Sequence, residues 1–463
     1  MGYTEKEYDA VIIGSGPSGQ QAAYQAVKLG KRVAVIERLP DPGGNCLYNG
    51  TIPSKTLRQA ILDLTGFHEQ SFYGDTDEIL KVNITDLNHR LFQVIDEEKR
   101  VIASHLQKNS IDFIEANAQF LDPHTLGLTD SAGSKIGRLK ADLLFIATGS
   151  KPRHPVDIPF DDEVILDSTR LLHIHRVPKT MIVLGGGVIG SEYGSFFAAL
   201  KTQVTIVERE KNILPMLDIE IGAHLHSALQ KLGMKFIGEV VAEKIWREGN
   251  RAFVSLSNGK ILEADTLLFA LGRTANVDEL KIENAGIITD AKGYIIVNDH
   301  FQTSMPHIYA VGDVIGGPCL ASTSMEQGYQ AARHACKMET YPFPTFYPKG
   351  IYTIPEISTF GYTEEELKRM GFHYEVGRAY YRDIAKSHIT GFTHGMIKIV
   401  FHKETKEILG VHIIGRDATE IIHVGQLVQC GSGKITQFTN LIFNYPTYAE
   451  GYRIAALDGL SKL

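Results

Sequence analysis

"YDAVIIGSGPSGQQAAYQAVKLGKRVAVIE", residues 8–37, decides the fold. An apolar run ends in Gly14, and Gly14, Gly16 and Gly19 form a GxGxxG turn. Small and apolar residues then recur at helical spacing, and a second apolar run closes on Glu37. Strand, glycine turn, helix, strand, acid is the order of a dinucleotide-binding βαβ unit. The first glycine permits the turn, the second lets the backbone approach a pyrophosphate, and the third lets helix pack on strand. Phosphates belong at the helix N-terminus, where unpaired N–H groups and the dipole favour anions. Glu37 can accept hydrogen bonds from an adenosine ribose. A single GxGxxG is weak evidence, because ordinary strand-to-helix turns also match it.

The chain writes the design twice. "TMIVLGGGVIGSEYGSFFAALKTQVTIVE" (180–208) carries Gly185, Gly187 and Gly190 and ends on Glu208, followed by Arg209. Each unit is followed later by a buried-looking strand ending in glycine: "ADLLFIATGS" (141–150) with Gly149, and "ADTLLFALGR" (264–273) with Gly272. "HIYAVGDVIGG" (307–317) is a further strand running into glycine and Asp313. From about Tyr347 the pattern changes to alternating β segments such as "GMIKIVFHKETKEILGVHIIG" (395–415), without a phosphate loop. The expectation is an α/β chain with two Rossmann-like domains and a C-terminal α+β domain. Its parts are 1–150 and 276–346 for the first nucleotide, 151–275 for the second, and 347–463 for assembly.

A chain of 463 residues exceeds one compact core, in keeping with several domains. A net charge of -7 argues against general affinity for nucleic acid or anionic membrane. No apolar run approaches a membrane span, and the N-terminus has no signal-peptide h-region. The four cysteines, Cys46, Cys319, Cys336 and Cys430, include no CxxC pair, so neither a zinc site nor a disulfide framework is indicated, and a reducing cytoplasm fits best. No metal is expected. Cys319, Cys336 and Cys430 read as buried or half-buried small apolar residues.

Two dinucleotides in one chain imply hydride traffic between a nicotinamide and a flavin. The motifs resemble the FAD-dependent pyridine nucleotide-disulfide oxidoreductase family over essentially the full length. The first GxGxxG with Glu37 is similar to its FAD site, and "TSMPHIYAVGD" (303–313) to its second FAD motif, whose acid is Asp313 here. "YTIPEISTFGYTEEEL" (352–367) resembles the start of its dimerisation domain. The resemblance implies FAD as cofactor, NAD(H) and NADP(H) as substrates, and a homodimer or higher homo-oligomer.

Two departures matter. In "GGNCLYNGTIPSK" (43–55) the family's second redox cysteine, five residues past Cys46, is replaced by Thr51. In "FNYPTYAE" (443–450) Asn444 stands where the family's disulfide reductases carry an acid-base histidine, while Pro446 and Glu450 remain. These features resemble the transhydrogenase branch of the family. They imply hydride transfer between NADPH and NAD+ by way of FAD, without a redox disulfide. The alternatives are an NADH-preferring diaphorase or a single-thiol flavin oxidoreductase. The resemblance further implies that Lys55 and Glu192 form an ion pair at the flavin edge and are the catalytic charges. Cys46 and Thr51 are expected to line the flavin. A thiol at a helix start near a lysine can have a lowered pKa, but an inert Cys46 is the preferred reading. Glu208 favours a free ribose 2′-OH, and Arg209 is the candidate to accept a 2′-phosphate.

Overall fold

The computed structural model describes residues 4–65 and 84–463. The chain divides into two compact units, Met1–Thr56, His89–Arg153 and Gly272–Pro344 in one, and Leu57–Asn88, His154–Leu271 and Thr345–Leu463 in the other.

The first unit is built on a seven-stranded sheet. Its parallel part runs Asp112–Glu115, Val33–Glu37, Thr4–Ile13, Lys135–Ile146 and Ile308–Ala310 in space. The chain order reverses between Thr4–Ile13 and Lys135–Ile146, and ligands of open α/β sheets bind beyond the carboxyl ends of strands at such a reversal. Alternation along the first strand sorts its side chains. Val11 and Ile13 enter one core with Ile36, Leu144 and Ile146, while Ala10 and Ile12 enter the other with Ala22, Ala26, Phe145 and Ala331. The second core holds helices Pro17–Lys28 and Ala321–Ala335 against the sheet. The strands Asn117–Asp122 and Thr125–Thr129 extend the other side antiparallel.

The second unit contains two larger sheets. A parallel one runs Lys235–Ile237, Gln203–Val207, Thr180–Leu184, Thr266–Phe269 and Ile165–Leu166, with helix Val188–Ala199 after the second glycine loop. An antiparallel one runs Lys349–Ile351, Ile357–Gly361, Ile408–Ile414, Met396–His402 and Tyr374–Tyr380. A buried ionic cluster joins elements of both. Asp218 caps helix Ile219–Lys231 by accepting from the Glu220 N–H, and it takes the Lys398 ammonium at 2.7 Å. Lys398 is 1% exposed and also reaches Glu220 at 3.1 Å and Glu364, while Arg378 grips Glu220 at 2.9 Å. Among the described residues, no helix is long and apolar enough to cross a membrane.

Candidate active site

The two glycine loops have the same geometry. Gly14 and Gly185 sit at φ +104° and +106°, a region closed to other residues at low cost. A Cβ on Gly14 would strike the Ala147 carbonyl oxygen, and one on Gly185 would meet that of Ala270 at 2.7 Å. A Cβ on Gly19 or Gly190 would strike the carbonyl of the loop's own first glycine. Gly16 and Gly187, each the N-cap of the following helix, face open space with nothing within 4 Å of a Cβ position. Backbone is therefore presented bare at the helix N-terminus, as a pyrophosphate requires.

The closing acids do something their spacing does not announce. Glu37 Oε2 accepts from Ser15 N at 3.0 Å and from the Ser15 hydroxyl at 2.7 Å, and its Oε1 accepts from Leu39 N at 3.2 Å. Glu208 repeats this, Oε2 accepting from Gly186 N at 2.6 Å and Oε1 from Glu210 N at 3.1 Å. Each acid thus braces the middle of its own glycine loop as well as the turn beyond the strand. Arg209 lies on the surface, 77% exposed, paired with Glu210 at 3.3 Å.

The stretch around Cys46 folds as a short helix, Gly44–Tyr48, followed by the helix Thr51–Thr65. Cys46 is half-buried and free, with the Thr51 side chain beside it. Burial pushes the thiol above its ordinary pKa, outweighing Thr51 and Lys55, which act downwards. Desolvation outweighs the one nearby ammonium, which agrees with the preferred reading of Cys46 as inert rather than as a lowered, nucleophilic thiol. Lys55 Nζ lies 3.3 Å from the Ser54 hydroxyl. In the second unit Glu192 is buried, and its Oε1 accepts the Tyr352 N–H at 2.8 Å. Asn444 accepts the Thr447 hydroxyl on its carbonyl oxygen, and burial raises the Glu450 carboxyl above its ordinary range. Cys319 and Cys430 are exposed, against the expectation of burial.

Asp313 follows the strand Ile308–Ala310, and Gln327 secures that turn by accepting the Gly312 N–H at 2.8 Å. Its Oδ2 accepts the Ser150 hydroxyl at 2.6 Å, and Arg273 donates to Ser150. Gly149 at φ +68° and Gly272 at φ +101° flank this group, both facing open space. Next to Gly149 the buried Thr148 hydroxyl has no hydrogen-bond partner among the described residues. Such an orphan beside open glycines fits a polar ligand. Ser15, Ser150 and Arg273 were missed from sequence. Separations of 123 and 163 residues leave no local pattern for the last two.

Paired Rossmann units, each with an open pyrophosphate cradle, joined to an antiparallel C-terminal sheet define a two-dinucleotide oxidoreductase. The chain belongs to the pyridine nucleotide-disulphide oxidoreductase family, whose profile matches residues 8–328, and the family's dimerisation domain matches 347–456. The family is FAD-dependent and acts on NAD(P)H. The chain is 43% identical to a soluble pyridine nucleotide transhydrogenase of Mycobacterium tuberculosis, over 99% of this chain and 98% of that one. It is 44% identical to one of Salmonella paratyphi C, over 99% of each. Among solved structures it resembles the HOCl-induced flavoprotein disulfide reductase RclA of Escherichia coli, with TM-score 0.87 and 27% identity over 97% of this chain and 99% of that one. LpdA of Mycobacterium tuberculosis, at 23% identity and TM-score 0.89 over 98% and 99%, shares the fold.

Proposed function

We propose that this chain is a homodimeric, cytoplasmic FAD enzyme that moves hydride between NADPH and NAD+ without a redox disulfide. The observation that carries the reading is the Cys46–Thr51 pair. Where the family's chemistry needs a second sulfur, a hydroxyl faces the thiol, and burial keeps that thiol protonated. Asn444, an amide, cannot shuttle the proton that dithiol exchange would require. The two transhydrogenase relatives support the same activity.

Bound FAD would supply a two-electron hydride acceptor and donor. Gly14, Gly16, Gly19 and Glu37 hold its ADP half, Asp313 and Gly149 its ribityl side, and Cys46 and Thr51 pack against it. Gly185, Gly187, Gly190, Glu208, Arg209 and Gly272 serve the nicotinamide nucleotide. Lys55 stabilises negative charge developing on the flavin. Glu192, oriented by the Tyr352 N–H, is the second charged catalytic group. The functional parts are 1–150 with 276–346 for FAD, 151–275 for NAD(P), and 347–463 for pairing. Leu427, Ile442 and Tyr445, 76%, 97% and 75% exposed in the last part, supply apolar surface for a second copy.

Glu208 and Arg209 favour a second reading, an NADH-preferring diaphorase, because the acid meets a 2′-phosphate with like charge while the arginine is paired with Glu210. Anaerobic mixing of NADPH with thio-NAD+ decides between them. Catalytic appearance of the reduced analogue is expected. Turnover of a quinone by NADH with no transfer to thio-NAD+ would replace the proposal with the diaphorase.

A further inference from the structure

Asp313 ends a relay that begins on the two passages by which the chain leaves and re-enters the first unit. Residues 150–152 and 273–275 pair as a two-stranded antiparallel ribbon, Ser150 opposite Ala275 and Pro152 opposite Arg273. Within it, Arg273 Nε donates to Ser150 Oγ at 2.8 Å and Nη2 donates to the Ser150 carbonyl at 2.7 Å. A hydroxyl owns one proton. With an arginine N–H already directed at its oxygen, Ser150 commits that proton to Asp313 Oδ2, 2.6 Å away. Ser150 is buried, so water does not compete for the bond. Arg273 is steadied in turn by the Tyr294 hydroxyl, which donates to its carbonyl at 3.2 Å. An ionised carboxylate has about four lone-pair sites, so this relay fixes the rotamer of Asp313 and leaves acceptor capacity unused.

We propose that Ser150 and Arg273 are positioning residues for flavin recognition: the Arg273–Ser150–Asp313 relay aims the carboxylate so that its remaining lone pairs accept from the ribityl hydroxyls of FAD. The inference rests on the assignment of Asp313 as the FAD-binding acid. It further implies that FAD and the crossing ribbon stabilise one another, because a hydrogen bond at one end of the relay restricts the side chains at the other.

The test is FAD release from holoenzyme, read as the rise in flavin fluorescence on dilution, in wild type, Ser150→Ala, Ser150→Thr, Arg273→Lys and Asp313→Ala. It is repeated with FAD analogues that lack one ribityl hydroxyl at a time. Losing a hydrogen bond to a charged group should speed release roughly tenfold or more. Ser150→Ala and Arg273→Lys should show this, and Ser150→Thr, which keeps the hydroxyl, should release FAD as wild type does. The reading that separates positioning from general loosening is coupling: deleting the critical ribityl hydroxyl should speed release from wild type but add little in Ser150→Ala. Arg273→Lys provides the same comparison should Ser150→Ala fail to fold. Equal sensitivity of wild type and both variants to every deoxy analogue overturns the relay. Unchanged release from Asp313→Ala overturns the underlying assignment of Asp313, and the relay with it.

Discussion

Replacing Glu208 with Gln separates the two jobs the structure gives that acid. The carboxylate accepts from Gly186 N at 2.6 Å and from Glu210 N at 3.1 Å. A glutamine offers one oxygen, so it keeps one of these bonds and turns an NH2 group toward the other donor. Bonds to charged acceptors contribute about 1.5–3 kcal/mol and neutral ones about 0.5–1.5, so the retained bond weakens by about 1 kcal/mol. The second loss is small, because the Glu210 N–H lies where water can replace the acceptor. The loosened loop therefore costs both nucleotides about 1–2 kcal/mol, roughly fivefold to thirtyfold in kcat/KM. For NADPH an opposing gain appears. A unit charge about 4 Å from a 2′-phosphate costs roughly 4 kcal/mol at an effective dielectric near 20, and solvent and salt cut this to about 1–2. NADPH should thus stay within about threefold of wild type, while NADH falls at least tenfold, having also lost an acceptor for its ribose. Arg209→Ala should lower NADPH selectively, since an exposed pair such as Arg209–Glu210 is worth only about 0–1 kcal/mol and releases the guanidinium readily. Stopped-flow flavin reduction with both nucleotides, in wild type and each variant, measures all of this. An NADPH rate that climbs while NADH holds steady would show that Glu208 braces nothing. An unchanged ratio would show that it does not face the 2′ position.

Anaerobic dithionite titration should reduce the protein with two electrons per FAD, there being no disulfide to take more, and uptake of four would refute the single-thiol reading. Lys55→Met and Glu192→Gln should each slow flavin reduction on the order of a hundredfold, as lost charge stabilisation does; Cys46→Ser should slow it far less, and the reverse ranking would reassign the roles. Lys398→Ala should destabilise the second unit by about 3–5 kcal/mol in denaturant, because it strands Asp218 as a buried, uncompensated charge. For Asp218 burial acts upwards, yet His412 and Lys398 hold its carboxyl below the usual 3.8, so its contribution is present above that pH and is lost as pH falls further. Burial lowers Lys398, but Asp218 and Glu364 raise it above 10.5, so its contribution is full below that pH and is lost on further alkalinisation. A wild-type melting temperature that does not fall below pH 3.8 or above pH 10.5, or one undiminished in Lys398→Ala at neutral pH, would refute the account.

The two Rossmann units were legible because their signal is local: Gly14 to Glu37 and Gly185 to Glu208 each place every informative residue within one βαβ turn. The C-terminal sheet announced itself through alternation in 395–415, and Thr51 and Asn444 stood out only through the resemblance to the family, as departures from its motifs. The bracing of the glycine loops was not legible, because an acid that closes a strand reads the same whether it binds ribose or Gly186 N. Nor was the Arg273–Ser150–Asp313 relay, whose members meet only through tertiary folding. The surface pairing of Arg209 and the exposure of Cys319 and Cys430 depend on where side chains point, which periodicity in a loop or at a helix end does not specify. The raised Cys46 thiol is a contest between burial and Lys55 whose outcome composition cannot weigh.

The Asp218–Lys398 cluster bears on how such enzymes can be recombined. Helix Ile219–Lys231 lies in sequence between two strands of the parallel sheet, Gln203–Val207 and Lys235–Ile237, yet the charge answering its N-cap comes from strand Met396–His402, some 180 residues away along the chain. A nicotinamide-binding module transplanted from a relative would arrive with its own cap but without its cation. Domain exchange aimed at altering coenzyme preference should therefore transfer Asp218, Glu220, Glu364, Arg378 and Lys398 as one inherited set, and a chimera that splits them should express as unfolded or aggregated protein however well its nucleotide site is drawn.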